Sequence, residues 1–317
     1  MKHWQGIAEV PVGTGPKVVT IGKFDGIHLG HQALLKAARK AADERGIEAV
    51  AVTFDRHPDA LLNPSNLKLP LIGEYQKAEL FDHNGMDAQL VLAFDEALAG
   101  LDPEEFVDMV LVTALNAQVV CVGEDFRFGV KGSGTVATLI QLGKQFGFEV
   151  ALVEPVLVAG KRVSSSLIRD LLDEGDVTTA EAMLGRRHQT VGMVEHGLKL
   201  GRQLGFPTAN LSRESEGYLP LDGVYAGWLY SDGVRYPAAL SVGINETIQA
   251  VPRLIEAHVL GTKDIDLYDK VVTVEYVRFL RRAAKFEGIE ALIKAIGEDC
   301  DRIAEILSHE PAAQILK

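Results

Sequence analysis

The chain has 317 residues, 47% of them hydrophobic, and a formal net charge of −12. That length suits two domains with real cores, and an acidic chain without a basic tract is poorly suited to nucleic acid. No apolar run reaches the roughly 18 residues of a membrane span, the start Met1-Lys2-His3-Trp4-Gln5 has no apolar signal region, and Cys121 and Cys300 lie far apart in sequence, so a cytoplasmic protein with reduced thiols and no membrane partner is expected.

The first half alternates strand and helix patterns. Val18 to Ile21 reads as a buried, β-branched strand, and Gln32 to Arg45 as the helix after it. Strands follow at Ala49 to Phe54 and Ala88 to Ala93, then a helix at Pro103 to Leu115 with Asp102 as N-cap before a Pro at N1. Gln118 to Val122 and Phe148 to Val153 are further strands around a helix at Thr135 to Phe146, and Ser165 to Asp173 and Thr178 to Leu184 are short helices. Strands spaced by crossover helices predict a parallel sheet covered on both faces.

Near Gly185 the rhythm changes. Strand-like runs then succeed one another: Thr190 to Glu195, Gly223 to Tyr230, Tyr236 to Val242, Leu254 to Leu260 and Val271 to Leu280. Gly, Asp and Pro turns separate them, which predicts a small antiparallel barrel, and Ile289 to Leu307 predicts a closing amphipathic helix. The expected boundary therefore falls at residue 185, dividing 1–185 from 186–317. The charge is uneven across it, with 16 basic against 26 acidic residues in 1–184 and 16 against 18 in 185–317.

The most informative segment is Gly22-Lys23-Phe24-Asp25-Gly26-Ile27-His28-Leu29-Gly30-His31. It sits on the turn between the first buried strand and its helix, where an α/β sheet presents ligands to free backbone N–H groups. His28 and His31, three apart, share a face of the first helical turn. Two imidazoles there suit a polyphosphate, and Gly22, Gly26 and Gly30 let the backbone approach it. Taken alone, His-x-x-His is also compatible with an ordinary helix start, or with metal ligation, although no Cys or carboxylate cluster stands nearby at ligand spacing. Thr53-Phe54-Asp55-Arg56-His57-Pro58 ends the next strand at the same edge. Gly123-Glu124-Asp125-Phe126-Arg127-Phe128-Gly129 follows a later strand, and its rings beside a polar side chain suit a flat heterocycle. Val163-Ser164-Ser165-Ser166-Leu167-Ile168-Arg169 sets three hydroxyls ahead of a helix with an Arg one turn on, a natural phosphate clamp.

In the second half the marker is Gly201-Arg202-Gln203-Leu204-Gly205-Phe206-Pro207-Thr208-Ala209-Asn210. No Gly-x-x-x-x-Gly-Lys-Ser/Thr run occurs in the chain, so a nucleotide site here does not use that loop. Glu256 lies in an alternating strand and shares a face with Leu254 and His258.

Together these motifs are identified as those of the prokaryotic bifunctional riboflavin kinase/FMN adenylyltransferase (FAD synthetase) family, and the resemblance runs from about residue 16 to 308. The ten-residue histidine motif resembles the His-x-Gly-His signature of nucleotidyltransferases. The resemblance implies a Rossmann-like nucleotidyltransferase domain followed by a riboflavin-kinase-like β-barrel with a C-terminal helix. It implies ATP as substrate, FMN and FAD as products, and Mg2+. His28, His31 and Arg169 would stabilise the phosphates during adenylyl transfer, with Gly22, Phe24, Asp25, Gly26, Gly30, Ser164, Ser165 and Ser166 around them. Asp125, Phe126, Phe128 and Arg281 would bind flavin. Thr208 and Asn210 would hold the metal and nucleotide beside Gly201, Gly205 and Pro207, and Glu256 would be the kinase base. The chain departs from the family in Ile244 to Ile248 and in Leu260 to Asp269, and Ser166 stands where a Thr is usual. Three alternatives stay open at this point: an FMN adenylyltransferase with a weak kinase-like half, a nucleotidyltransferase of another phosphate monoester, and a non-catalytic flavin-binding regulator.

Overall fold

The computed structural model describes residues 1–57, 59–62, 68–196, 201, 204–243, 253–262 and 265–310. It forms two compact units, Met1–Ser164 and Ser165–Lys317.

The first unit is built on six strands: β1 (Lys2–Gln5), β2 (Lys17–Ile21), β3 (Glu48–Phe54), β4 (Ala88–Leu92), β5 (Ala117–Gly123) and β6 (Glu149–Val153). Their spatial order is β1-β4-β3-β2-β5-β6, and every pairing is parallel. All five residues of β2 and of β4 are buried, as strands covered on both faces must be. The helices are α1 (Leu29–Arg45), α2 (Asp59–Leu62), α3 (Glu74–His83), α4 (Glu96–Gly100), α5 (Pro103–Phe106) and α6 (Val136–Phe146). One face packs Val18, Ala49, Ala51 and Cys121 against Leu35 and Ala38 of α1 and Leu80 and Phe81 of α3. The other packs Val19, Ile21, Val50 and Val52 against Phe106, Leu111, Leu139 and Leu142. Successive strand residues alternate between these cores, which is the physical origin of the two helical layers.

Three details differ from the sequence reading. β1 was not foreseen, because in Lys-His-Trp-Gln only Trp4 is buried and four residues carry little periodicity. The helix expected through Leu115 is α-helical only to Phe106 and continues in wider π form over Val107–Ala114, with Leu115 N–H donating to the Val110 carbonyl at 3.2 Å. Its N-cap is Asp102, as expected, with Glu105 completing the capping box. A two-stranded hairpin, β7 (Leu157–Val158) with β8 (Lys161–Arg162), closes the unit.

The second unit begins with α7 (Ser165–Glu174) and α8 (Val177–Leu184). The change of pattern near residue 185 predicts both for the first half. In the structure they group with the barrel, because their apolar stripes are buried there: Leu221 N–H donates to the Leu172 carbonyl at 2.8 Å, and Tyr218 Oη donates to Asp173 at 2.9 Å. The barrel closes through β9 (Gln189–Glu195), β10 (Ala209–Leu211), β11 (Gly223–Ser231), β12 (Val234–Gly243), β13 (Leu254–Val259) and β14 (Val271–Arg282), in the order β10-β13-β12-β11-β14-β9. All six pairings are antiparallel. Tyr225, Leu240, Ile255, Val274 and Tyr276 are among its buried side chains. The last helix, α9 (Ile289–Ser308), lays Ile303 and Leu307 on Ala226 and Val277.

Candidate active sites

In the first unit the strand order reverses between β2 and β5, and ligands of open α/β sheets bind outside the carboxyl ends of strands at such a point. The histidine motif leaves β2 there, and Gly123 to Gly129 leaves β5 beside it. The turn after β2 is tight. Phe24 and Ile27 both have positive φ, 48° and 35°, although neither is glycine and both are fully buried. Such backbone costs about 1–3 kcal/mol per residue and persists only where its surroundings over-determine it. They do so here. The Phe24 ring meets Phe81 of α3 edge-on at 5.1 Å and His31 at 5.3 Å, and Asp25 accepts the Leu71 N–H at 2.7 Å.

His28 is not in the first turn of α1 but caps it, with φ −69° and ψ 172°. Its Nδ1 accepts the His31 backbone N–H at 3.3 Å. A backbone N–H can only donate, so the neutral ring carries its proton on Nε2. The two imidazoles stack with centroids 3.8 Å apart and planes 13° from parallel. A Cβ on Gly30 would stand 3.2 Å from the His28 ring, so glycine there leaves room for the stack. Phe24 and Asp25, expected at the nucleotide, thus hold this turn against α3 and Leu71. Gly22 closes on β3, donating its N–H to the Val52 carbonyl at 3.1 Å.

Of the other expected residues, Phe126 and Phe128 stack at 5.4 Å, and Phe128 also meets Phe106 in the core. Asp125 is exposed and pairs with Arg162 at 2.7 Å. Asp55 accepts the Phe94 N–H at 2.9 Å; burial pushes its carboxyl up, but bonds from Arg56 and Phe94 outweigh that and hold it below its ordinary value. Ser164 is the last residue of the first unit, whereas Ser165, Ser166 and the buried Arg169 are on α7 of the second. Pro58 lies outside the described residues.

In the barrel, Asn210 of β10 is directly opposite Glu256 of β13, and Ser241 of β12 flanks Glu256 on its other side. Residues so paired project to one face with Cβ atoms about 5 Å apart. Ile255, Ala257 and Val259 fill the opposite face, which sets Glu256 outward among neutral neighbours. Burial pushes the Glu256 carboxyl above its ordinary value. The segment before Asn210 is pinned to β13 as well. His258 Nδ1 donates to the Pro207 carbonyl at 2.8 Å, and the Phe206 ring meets His258 edge-on at 5.4 Å. Phe206 N–H returns to the Gly201 carbonyl at 2.8 Å. A Cβ on Gly201 would collide with the Phe206 carbonyl oxygen and stand 3.3 Å from Thr208 Oγ1, so glycine opens the backbone there. Gly205 has φ 90°, which favours glycine.

Ser241 and Glu195, which pairs with Asn210 from β9, are not singled out by the sequence. They belong to no compact motif, and only strand register brings them together. Arg281 of β14 is held by Asp299 of α9 through Nε at 3.0 Å and Nη2 at 2.7 Å, which ties the helix to the barrel. The divergent run 244–248 lies outside the described residues, with Glu246, and so do residues 263 and 264 of the second divergent run.

A family model for FAD synthetase matches residues 12–167, and one for riboflavin kinase matches residues 184–307. The bifunctional riboflavin kinase/FMN adenylyltransferase of Pseudomonas fluorescens is 38% identical over 283 residues, covering 89% of this chain and 90% of that one. Its namesake in Bacillus subtilis is 33% identical over 290 residues, covering 89% and 90%. A crystal structure from Streptococcus pneumoniae, described as a macrolide-efflux protein, superposes with a TM-score of 0.86 at 30% identity and covers 98% of this chain and 99% of that one. Among the described residues no helix of this chain is long and apolar enough to cross a membrane.

Proposed function

From membership of the bifunctional riboflavin kinase/FMN adenylyltransferase family, to which the chain belongs, we propose how its two activities are divided among named residues. The observation that carries the proposal is the pairing of Asn210 with Glu256 in one half and the stacking of His28 on His31 in the other.

In the kinase half, residues 186–317, Glu256 accepts the proton of the riboflavin ribityl 5′-hydroxyl. That oxygen attacks the γ-phosphorus of ATP, the bond to the β–γ bridging oxygen breaks, and ADP leaves. A carboxyl with neutral neighbours and a raised pKa suits a base that must take a proton and then release it. Thr208 and Asn210 would hold Mg2+. A hydroxyl and an amide oxygen are acceptable hard ligands, and the glycine at 201 opens the backbone beside Thr208 for phosphates. When bound, the ion neutralises charge on the β- and γ-phosphates. Gly205 and Pro207 shape the same segment.

In the adenylyltransferase half, residues 1–185, a phosphate oxygen of FMN attacks the α-phosphorus of ATP and pyrophosphate leaves. No protein nucleophile is needed, and positioning with charge stabilisation carries the rate. His28 offers an Nε2–H donor, His31 stacks against it, and Gly22, Gly26 and Gly30 let the phosphates approach. Phe24 and Asp25 brace that turn. We assign phosphate contacts to Ser164, Ser165, Ser166 and Arg169 on their motif, and flavin contacts in this half to Asp125, Phe126 and Phe128; Arg281 of β14 would contact flavin in the kinase half. A cytoplasmic setting belongs to the same reading, since Cys121 and Cys300 are free thiols.

The test is incubation with riboflavin, ATP and magnesium, with FMN and FAD resolved by chromatography. The parent should form both. A His28→Ala variant should stop at FMN, and Glu256→Gln should make FAD only from supplied FMN. FAD formed from riboflavin at parental rate by either variant would overturn its residue's role.

A further inference from the structure

Lys77 is a cation that the division above leaves without a role. It lies on α3, one turn before Phe81, and residues four apart share a helix face. The helix and the segment just ahead of it are fixed to the histidine turn at two points. Phe81 meets Phe24 at 5.1 Å, and Leu71, just ahead of the helix, donates its N–H to Asp25 at 2.7 Å. Gln76 is buried beside it and accepts the Gly73 N–H at 3.0 Å, which locks the start of the helix. The carboxylates whose fields reach Lys77 are Asp25 and Glu74, and burial outweighs both, so its ammonium is drawn below its ordinary pKa. Among the described residues, no ion pair or side-chain hydrogen bond engages that ammonium.

A lysine built to brace the turn would close on Asp25, as Arg39 closes on Asp87 at 2.6 Å in the same unit. Lys77 instead keeps a partly desolvated charge beside a turn that receives anions. A cation in that state gains most from a ligand that brings its own negative charge. We infer that Lys77 is a further phosphate-binding residue of the adenylyl-transfer site, its ammonium reaching the nucleotide polyphosphate that His28 and His31 receive. This rests on the assignment of that site to the histidine turn.

The experiment uses the full chain with Lys77→Met, Lys77→Gln, Lys77→Arg and, as reference, His28→Ala. Steady-state FAD synthesis is measured with ATP varied at saturating FMN, and with FMN varied at saturating ATP. Loss of a charge-assisted contact should lower kcat/KM for ATP on the order of 10- to 100-fold in both neutral variants. The KM for FMN should hold within twofold, and Lys77→Arg should recover most of the loss. Removing a desolvated charge should not lower the melting temperature, so the neutral variants serve as folded probes, and riboflavin phosphorylation reports the other half of each preparation. Neutral variants within twofold of the parent, while His28→Ala is inactive, would overturn the role of Lys77 alone. A rise in the KM for FMN as large as the rise in the KM for ATP would overturn it as well, as a structural effect. Normal FAD synthesis by His28→Ala would remove the underlying assignment instead.

Discussion

Replacing Glu256 with glutamine tests the kinase half with effects of opposite sign on rate and stability. The substitution keeps the size of the side chain and removes its charge and basicity. Opposite Glu256 stand Asn210 and Ser241, both neutral, so burial alone sets the direction of its shift, which is upward from 4.5. The folded chain therefore holds this proton to higher pH than the unfolded chain. The associated stability is present in full below the unfolded value and is lost as pH rises through the folded one. At neutral pH the buried carboxylate is a net cost, about 1.4 kcal/mol for each unit by which its pKa is raised. Glutamine carries no such cost. Riboflavin phosphorylation should thus fall by roughly 10²- to 10⁴-fold, the usual contribution of a general base. Urea unfolding at pH 8 should show the variant at least as stable as the parent, and the advantage should shrink toward pH 4.5. Steady-state kinase assays and paired urea titrations at the two pH values measure both effects. A variant that phosphorylates riboflavin at parental rate would refute the base assignment. A variant that is inactive and also less stable at pH 8 would refute the reasoning from burial.

His28→Ala and His31→Ala should each cut FAD formation from FMN on the order of 10²-fold or more while leaving FMN formation from riboflavin unchanged, as product chromatography will show. A fragment of residues 165–317 should unfold at a higher temperature than one of 186–317, because the shorter piece strips off the helices that bury Leu172, Met183 and Leu184 and that bond Leu221 and Tyr218; equal melting temperatures would contradict this packing. His188 is buried, donates Nε2–H to the Tyr218 carbonyl at 2.6 Å, and is pushed by burial from 6.5 to about 4. Its folded pKa is depressed, so its share of stability is present above pH 6.5 and lost as pH falls through about 4. His188→Gln should flatten the acid limb of the barrel's melting profile across that window.

Much of the architecture was legible along the chain because it follows from local rules. The β-branched run before Gly22, the Asp102-Pro103 helix start and the successive strands after residue 185 each state their element through periodicity or capping. The histidine motif and the Pro207 to Asn210 run are compact, so one stretch of sequence holds most of each candidate site. What escaped lies in non-local pairing. β1 carries one buried residue and exists because it adds to β4. Ser241 and Glu195 carry no motif of their own.

The amino-acid sequence by itself determined the order of elements, the change from parallel to antiparallel architecture and the residue types placed at each ligand edge, since these depend on neighbours a few positions apart. Only the tertiary structure decided that α7 and α8 group with the barrel, that His28 caps α1 and stacks on His31, that Asp25 is taken by Leu71, and that Glu256 faces Asn210. Those outcomes turn on strand register and on which buried surface a segment finds, and burial is a property of the whole folded chain rather than of any window within it.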